Sequence, residues 1–269
     1  MATGCEPSGG SAPAEPQTPG DAAPDIADAA AGPPVIPRDP RCVAPEGVST
    51  APHSIADVVT LLNALPKPVT VPCFVASLAR PLSLHAVNSP FSAQPAQGRR
   101  SPRIFLFFPG LIMSIVPSGP GAHLLEFGET RPDAQSLKAE LEFPIEGQLD
   151  EPSPYHRVYF SETLTTCGFC HQNERRDESI GSPLAMISPA LRPRPEQRVL
   201  LDELAAQVAL CDSGAVAGAP ASEIPNVPTD AGADAGVTEA ERCEMLHAIF
   251  DQQPAPVEHE FPTTYKIFF

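Results

Sequence analysis

Proline limits this chain more than any other residue. Thirty-five of the 269 positions are Pro and a further 18 are Gly. Each Pro fixes φ and removes a backbone donor, so regular structure has to fit between them. The prolines are also unevenly spread. Residues 6–37 hold eight Pro, five acidic residues and no Lys or Arg, and residues 212–237 are an Ala/Gly/Pro/Asp stretch with four acidic residues and no basic one. Neither stretch has enough apolar surface to offset the entropy of ordering it, and both read as solvated linkers. Together they carry nine negative charges in a chain whose formal net charge is −16. The acidity therefore belongs mostly to linkers, and an acidic chain argues against nucleic acid as a partner. The 42% of hydrophobic residues is enough for a sizeable core, but no apolar run approaches the ~18 residues of a membrane-spanning helix.

Between the linkers the hydrophobic period changes twice. Ser54 and Asp57 form a capping box, after which Ile55, Val58, Val59, Leu62 and Leu65 repeat at helical spacing until Pro66. From residue 82 the period becomes two, and six strands are predicted over 82–87, 103–108, 111–116, 123–127, 136–143 and 155–160, with Pro109-Gly110 and residues 117–121 as turns. In the fifth, Leu137, Ala139, Leu141 and Phe143 alternate with Lys138, Glu140 and Glu142, which predicts one core face and one wet face. A helical period returns over 199–211, and again after Thr238 and Glu241, with Cys243, Leu246 and Phe250 on one face. The expected fold class is α+β: an antiparallel β-sandwich-like domain over 38–162 with an N-terminal helix, then a smaller helical part over 163–269 interrupted by the second linker. Arg192-Pro193-Arg194-Pro195 reads as an extended connector, and the apolar end, Tyr265 to Phe269, as an edge strand or a segment packed on the helical part. His85, His123 and His156 stand alone in the β region, without a Gly-x-Ser-x-Gly elbow or a phosphate loop.

Seven cysteines bear on the compartment. Met1-Ala2-Thr3-Gly4-Cys5 resembles the end of a bacterial lipobox. The resemblance implies lipidation at Cys5, a membrane anchor through that lipid, residues 1–37 as a tether, and a place in the cell envelope as a periplasmic or outer-membrane lipoprotein. A chance Cys in a disordered tail is the plainer reading. Of the remaining six, Cys42 and Cys73 bracket the first helix, and Cys211 and Cys243 point to the apolar faces of consecutive helices. Cys42–Cys73 and Cys211–Cys243 are the expected disulfides. Four cysteines allow three pairings, and buried free thiols are the alternative.

One motif carries chemistry: Thr165-Thr166-Cys167-Gly168-Phe169-Cys170-His171. Composition alone would produce Cys-x-x-Cys-His about 0.005 times in such a chain. The motif resembles the covalent haem-attachment site of c-type cytochromes, in which two thiols add to the two vinyl groups of one haem and the following imidazole takes the iron. The resemblance implies haem c as cofactor, Cys167 and Cys170 as its attachment points and His171 as proximal ligand. It further implies Pro183, twelve residues on, as carbonyl partner of the second ring nitrogen, and Met186 or Met245 as distal ligand, unless the sixth position is open. Arg175 or Arg176 could pair a propionate, though a solvated loop is the plainer view. The implied role is one-electron transfer with other redox proteins of the envelope, a carrier more than an enzyme. Two features depart from the family: a β region precedes the motif, and no Met-bearing loop follows at the usual distance. Three other readings stay open. These are a structural Cys167–Cys170 disulfide in a haem-free binding or scaffolding lipoprotein, a thiol–disulfide oxidoreductase, and a zinc site, for which four ligands would be needed.

Overall fold

A computed structural model describes residues 42–212 and 239–268. Cys5, the 1–37 tether and the second linker beyond Asp212 lie outside those residues. The described chain opens with helices α1 (Ile55–Ala64) and α2 (Val71–Ser77) and continues as strands β1 (Ser83–Val87), β2 (Arg103–Phe108), β3 (Leu111–Ile115), β4 (Leu124–Arg131) and β5 (Gln135–Glu142). One helical turn, α3 (Ser153–His156), and a two-strand hairpin, β6 (Tyr159–Ser161) and β7 (Leu164–Thr165), lead to the turn α4 (Gly168–His171). Short strands β8 (Arg175–Arg176), β9 (Met186–Pro189), β10 (Leu191–Arg192) and β11 (Arg198–Val199) follow. Helices α5 (Leu201–Asp212) and α6 (Glu239–Phe250) and strands β12 (Val257–Glu258) and β13 (Lys266–Ile267) complete it.

The fold is α+β, built on one large mixed sheet. Strands β1 to β5 make an antiparallel meander, β9 and β8 extend it beyond β5, and β11 and β12 share the outer edge of β1, β12 running parallel. Leu84, Leu106, Met113, Phe127 and Ala139 stand directly across from one another through five strands. They face a single core to which α1 gives Val58, Leu61 and Leu62, α2 gives Phe74 and Val75, and α6 gives Met245, Ala248 and Ile249. A second sheet is not needed because these amphipathic helices supply the second layer. This corrects the sandwich expectation. The strands of the 163–199 segment also join the same sheet, and α5 and α6 pack into the helix-side core rather than forming a helical shell around the motif.

Local chemistry explains most element ends. The Ser54 hydroxyl accepts from the Asp57 N–H at 3.1 Å, and Glu129 of β4 accepts from the Ile55 N–H at 2.8 Å, which ties the positive end of α1 to the sheet. Gly110 turns β2 into β3 at φ +81°, where a side chain would be strained. The strand expected over 155–160 instead begins as α3, because Pro152 and Pro154 preset helical φ at its first turn.

Both expected disulfides are present, Cys42–Cys73 and Cys211–Cys243. The second joins α5 to α6 across a separation of 32 residues. A loop of that size corresponds to about 3–4 kcal/mol of stabilisation through the unfolded chain. Cys211→Ser/Cys243→Ser should therefore lose about that much in equilibrium urea unfolding, and an unchanged midpoint would reject the staple role.

Candidate functional site

The helix-opposed face of the sheet carries the site. In register across it lie Phe105, Ser114, Glu126 and Glu140, with Arg103 and Lys138 in adjoining rows. The alternation in β5 predicts water there. Yet Lys138 is only 6% exposed and Glu140 only 8%. Three segments cover this face. The loop after β1 brings Gln94, whose side chain donates to the Gly121 and Leu124 carbonyls and accepts from Ser114. The C-terminal strap brings Phe261 and Tyr265. The third cover is the motif itself.

The motif forms the turn α4, entered through Cys167. Glu174 holds the entry: its carboxylate accepts from the Thr165 N–H and hydroxyl, both at 2.6 Å, and the Thr165 hydroxyl oxygen accepts from the Cys167 N–H at 3.2 Å. Glu174 can reach back because Gln172 and Asn173 both adopt positive φ, near +50°. Asn tolerates positive φ, but Gln172, at φ 51° and ψ 169°, is in a conformation that favours glycine and that is concentrated at functional sites. Gly168 suits the same fit: a Cβ there would lie 2.3 Å from Leu164 Cδ1 and 2.5 Å from the Glu174 carboxylate, so one of those side chains would have to move. Cys170 is exposed, and beside it the exposed rings of Phe160 and Phe169 meet edge to face at 5.0 Å.

His171 Nδ1 lies 2.9 Å from the Pro189 carbonyl oxygen. As donor to that carbonyl, Nδ1 carries the proton and leaves Nε2 as the nitrogen able to bind a metal. Burial, reinforced by the Lys138 and Arg103 charges, holds the imidazole down to about 3; it is neutral at any ordinary pH. Cys167 moves the other way. Burial, with Glu126 adding repulsion against the opposing pull of Lys138, pushes its thiol up to about 12. The floor beneath is polar and only partly compensated. Arg103 donates to Glu126, to Ser92 and to Ser114, and stacks 4.8 Å from the centre of the Phe105 ring. Glu126 Oε1 is buried without a hydrogen-bond partner. Burial lowers Lys138 to about 8.

Residues named from the sequence fall in different places. Cys167, Cys170 and His171 share one turn, and Cys167 and Cys170 are free thiols. Pro183 is exposed and is not the carbonyl partner; Pro189 takes that role because β9 runs beside the turn. Met245 belongs to the helix-side core, across the sheet from the motif, and is removed as a distal ligand. Met186 pairs with Lys138 across β5 and β9 and so shares the motif's face, but it does not line the cavity beside the motif. Arg175 and Arg176 are exposed on β8 and lie outside that cavity as well. Sequence reasoning missed Glu174, Pro189 and the buried charges. One signal was available: β2 alternates Ile104 and Leu106 with Phe105 and Phe107, apolar on both faces, as in a sheet covered on both sides.

The cavity has a volume of about 130 Å³ and runs between the motif and the strap. Its walls are largely apolar, from Phe91, Phe105, Leu191, Pro193 and Phe268, with Arg103, Arg192, Glu126 and Glu140 as charged members. No protein family, no curated protein and no solved structure matches this chain. Among the described residues no three His, Cys, Asp or Glu side chains converge on a possible metal ion. That bears on zinc, which needs four converging donors, and not on haem, which takes one protein nitrogen at iron and two thiols at its rim. The donor set therefore fits a haem: two unpaired thiols and a neutral imidazole with its tautomer fixed. The cavity is smaller than the ~300–1,000 Å³ of pockets that engulf larger ligands, so the fit rests on donor chemistry and an apolar wall.

Two expectations follow. Gly168→Ala should displace Glu174 or Leu164 and cost about 1–3 kcal/mol, as overpacking does; thermal unfolding measures it, and no loss would mean the turn tolerates a Cβ. Glu140 is held up to about 7, by burial first and Glu126 second, and its 2.8 Å pair with Arg157 does not offset them. Its neutral form is favoured in the folded state. The stability this gives is full below the unfolded value of about 4.5, and is lost as pH rises toward 7. Glu140→Gln should flatten that decline by roughly 2–3 kcal/mol, read from urea unfolding at pH 4.5, 6 and 8. Parallel curves for the two proteins would contradict it.

Proposed function

We propose that this chain is a mono-haem protein of the c-type cytochrome kind, anchored in the cell envelope through Cys5 and passing single electrons between redox proteins there. Cys167 and Cys170 hold the haem by thioether bonds, and His171 is the proximal ligand. The observation that carries the reading is the His171–Pro189 hydrogen bond on the turn that bears both thiols. It supplies what an axial imidazole needs: a protonated Nδ1, a free Nε2 and a fixed ring. Bound haem supplies a one-electron couple at iron. The chain's own residues orient the imidazole, keep it neutral, and line one side with apolar rings. In this reading residues 163–269 are the haem-bearing part, although their long helices pack away from the motif. Met186 remains the distal candidate on the motif's side of the sheet; an open sixth position is the alternative.

The thiol–disulfide reading has less support. Such an enzyme needs a depressed nucleophile pKa, and burial pushes Cys167 up to about 12. Protein exported from a host with haem-attachment machinery should show a visible haem spectrum and a mass increase of one haem that survives denaturation. Both should disappear in Cys167→Ser/Cys170→Ser, while His171→Ala should keep the mass and change the visible spectrum, as loss of the imidazole from iron requires. A colourless wild-type protein of unmodified mass would refute the proposal.

A further inference from the structure

Among the described residues, two guanidinium groups line the cavity, and Arg192 is the one that pairs with no acidic side chain. Arg103, the other, is committed to Glu126, Ser114 and Ser92. Elsewhere Arg99 pairs Glu203, Arg157 pairs Glu140 and Glu142, and Arg198 pairs Glu258 and Glu260. Arg192 is half-buried on β10, lines the cavity beside Cys167, Cys170 and His171, and has no acidic partner among the described residues. Its position is nevertheless fixed. Nε donates to the Tyr265 carbonyl at 3.1 Å, the Arg192 carbonyl accepts from the Phe268 N–H at 2.8 Å, and β10 pairs in parallel with β13 of the strap. With Nε occupied, the two terminal nitrogens form the open side of a rigid fork.

A guanidinium held at the rim of an apolar cavity without a counter-charge matches a planar apolar body that ends in a carboxylate, because the fork meets both carboxylate oxygens at once. Haem has that form. We propose that Arg192, positioned by the C-terminal strap, is the anion anchor of this cavity and takes a propionate of the covalently attached haem. The inference rests on the haem reading above and adds a residue to it. Arg175 and Arg176 do not serve, since both are exposed on β8 and outside the cavity. The carboxylates of the cavity, Glu126 and Glu140, make no ion pair with Arg192; their partners are Arg103 and Arg157.

Removing a positive charge near the haem favours the oxidised form. In holoprotein whose covalent adduct has been verified by mass, Arg192→Gln should lower the midpoint potential, shifting the oxidised-to-reduced ratio at fixed potential by at least about fivefold. Arg192→Lys should stay within about twofold of wild type. A purely structural role in holding the strap would not make the potential follow charge in this way. A second measurement needs no substitution at Arg192. Phenylglyoxal modification of Arg192, mapped by peptide mass, should be at least about fivefold slower in wild-type holoprotein than in the haem-free Cys167→Ser/Cys170→Ser protein. A verified adduct with unchanged potential in Arg192→Gln, or with equal modification rates, would overturn the anchor and leave the haem reading intact. Absence of the adduct in wild type would overturn both.

Discussion

The packing of Arg103 against Glu126, Ser114 and Ser92 is the contact on which the rest of the motif's side of the sheet depends. It lies in the middle of a face that the strand pattern marks as polar, and it allows that face to be covered at all. A buried ion pair loses hydration on both partners and recovers it only with good geometry and further hydrogen bonds. Arg103 has those bonds; Glu126 has one oxygen satisfied and one orphaned. The neighbours adjust by shifting toward neutrality, Glu140 up to about 7 and Lys138 down to about 8. The result is a floor whose central charges are paired and whose flanking charges are weakened, over which the loop after β1, the strap and the motif turn can close, leaving the cavity between the last two.

What the sequence made legible was what depends on near neighbours. Strands β1 to β5 follow from a two-residue period and the turns between them, and α1 from a serine cap that the structure retains. The disulfides followed from position along the chain: Cys42 and Cys73 bracket α1, and Cys211 and Cys243 lie on the apolar faces of consecutive helices. What was not legible depends on contacts distant in the chain. Alternation in β5 says that its two faces differ, not that the polar one is wet; that is decided by distant segments on both sides of it in the chain, the loop of Gln94 before it and the motif turn and the Phe261–Tyr265 strap after it. Strands β8 and β10 to β13 are two residues long and exist only through their partners. Pro189 was missed because a backbone carbonyl has no side-chain signature: any residue that β9 brought to that place would accept from His171 equally well.

The motif turn is a small case of local preference overruled by fit. Gln172 takes a positive φ that it does not prefer, and a side chain at Gly168 would have to displace Leu164 or Glu174. Both serve Glu174, whose two bonds to Thr165 fix where the chain enters the turn. A flexible linker could present two thiols to a partner. A strained turn tied down at its entry, with its imidazole bonded to a neighbouring strand, holds one arrangement.

That rigidity, joined to the electrostatics, separates the chemistries a Cys-x-x-Cys-His turn can perform. Burial over the sheet raises an acid and lowers a base by one cause. The thiol of Cys167 and the imidazole of His171 are therefore both driven to their neutral forms, at about 12 and about 3. Thiol exchange needs the opposite for sulfur, a thiolate stabilised by nearby positive charge. Lys138 and Arg103 are close enough to act on the site: at His171 their charges add to burial, while at Cys167 the pull of Lys138 is outweighed by burial and by Glu126. A neutral imidazole with one nitrogen committed and the other open is suited to binding iron. A protonated, inward-facing thiol is poor at attacking a disulfide, yet loses nothing once its sulfur is a thioether, which carries no charge to desolvate. The same buried environment that disfavours a free redox thiol is therefore indifferent to a covalently occupied one.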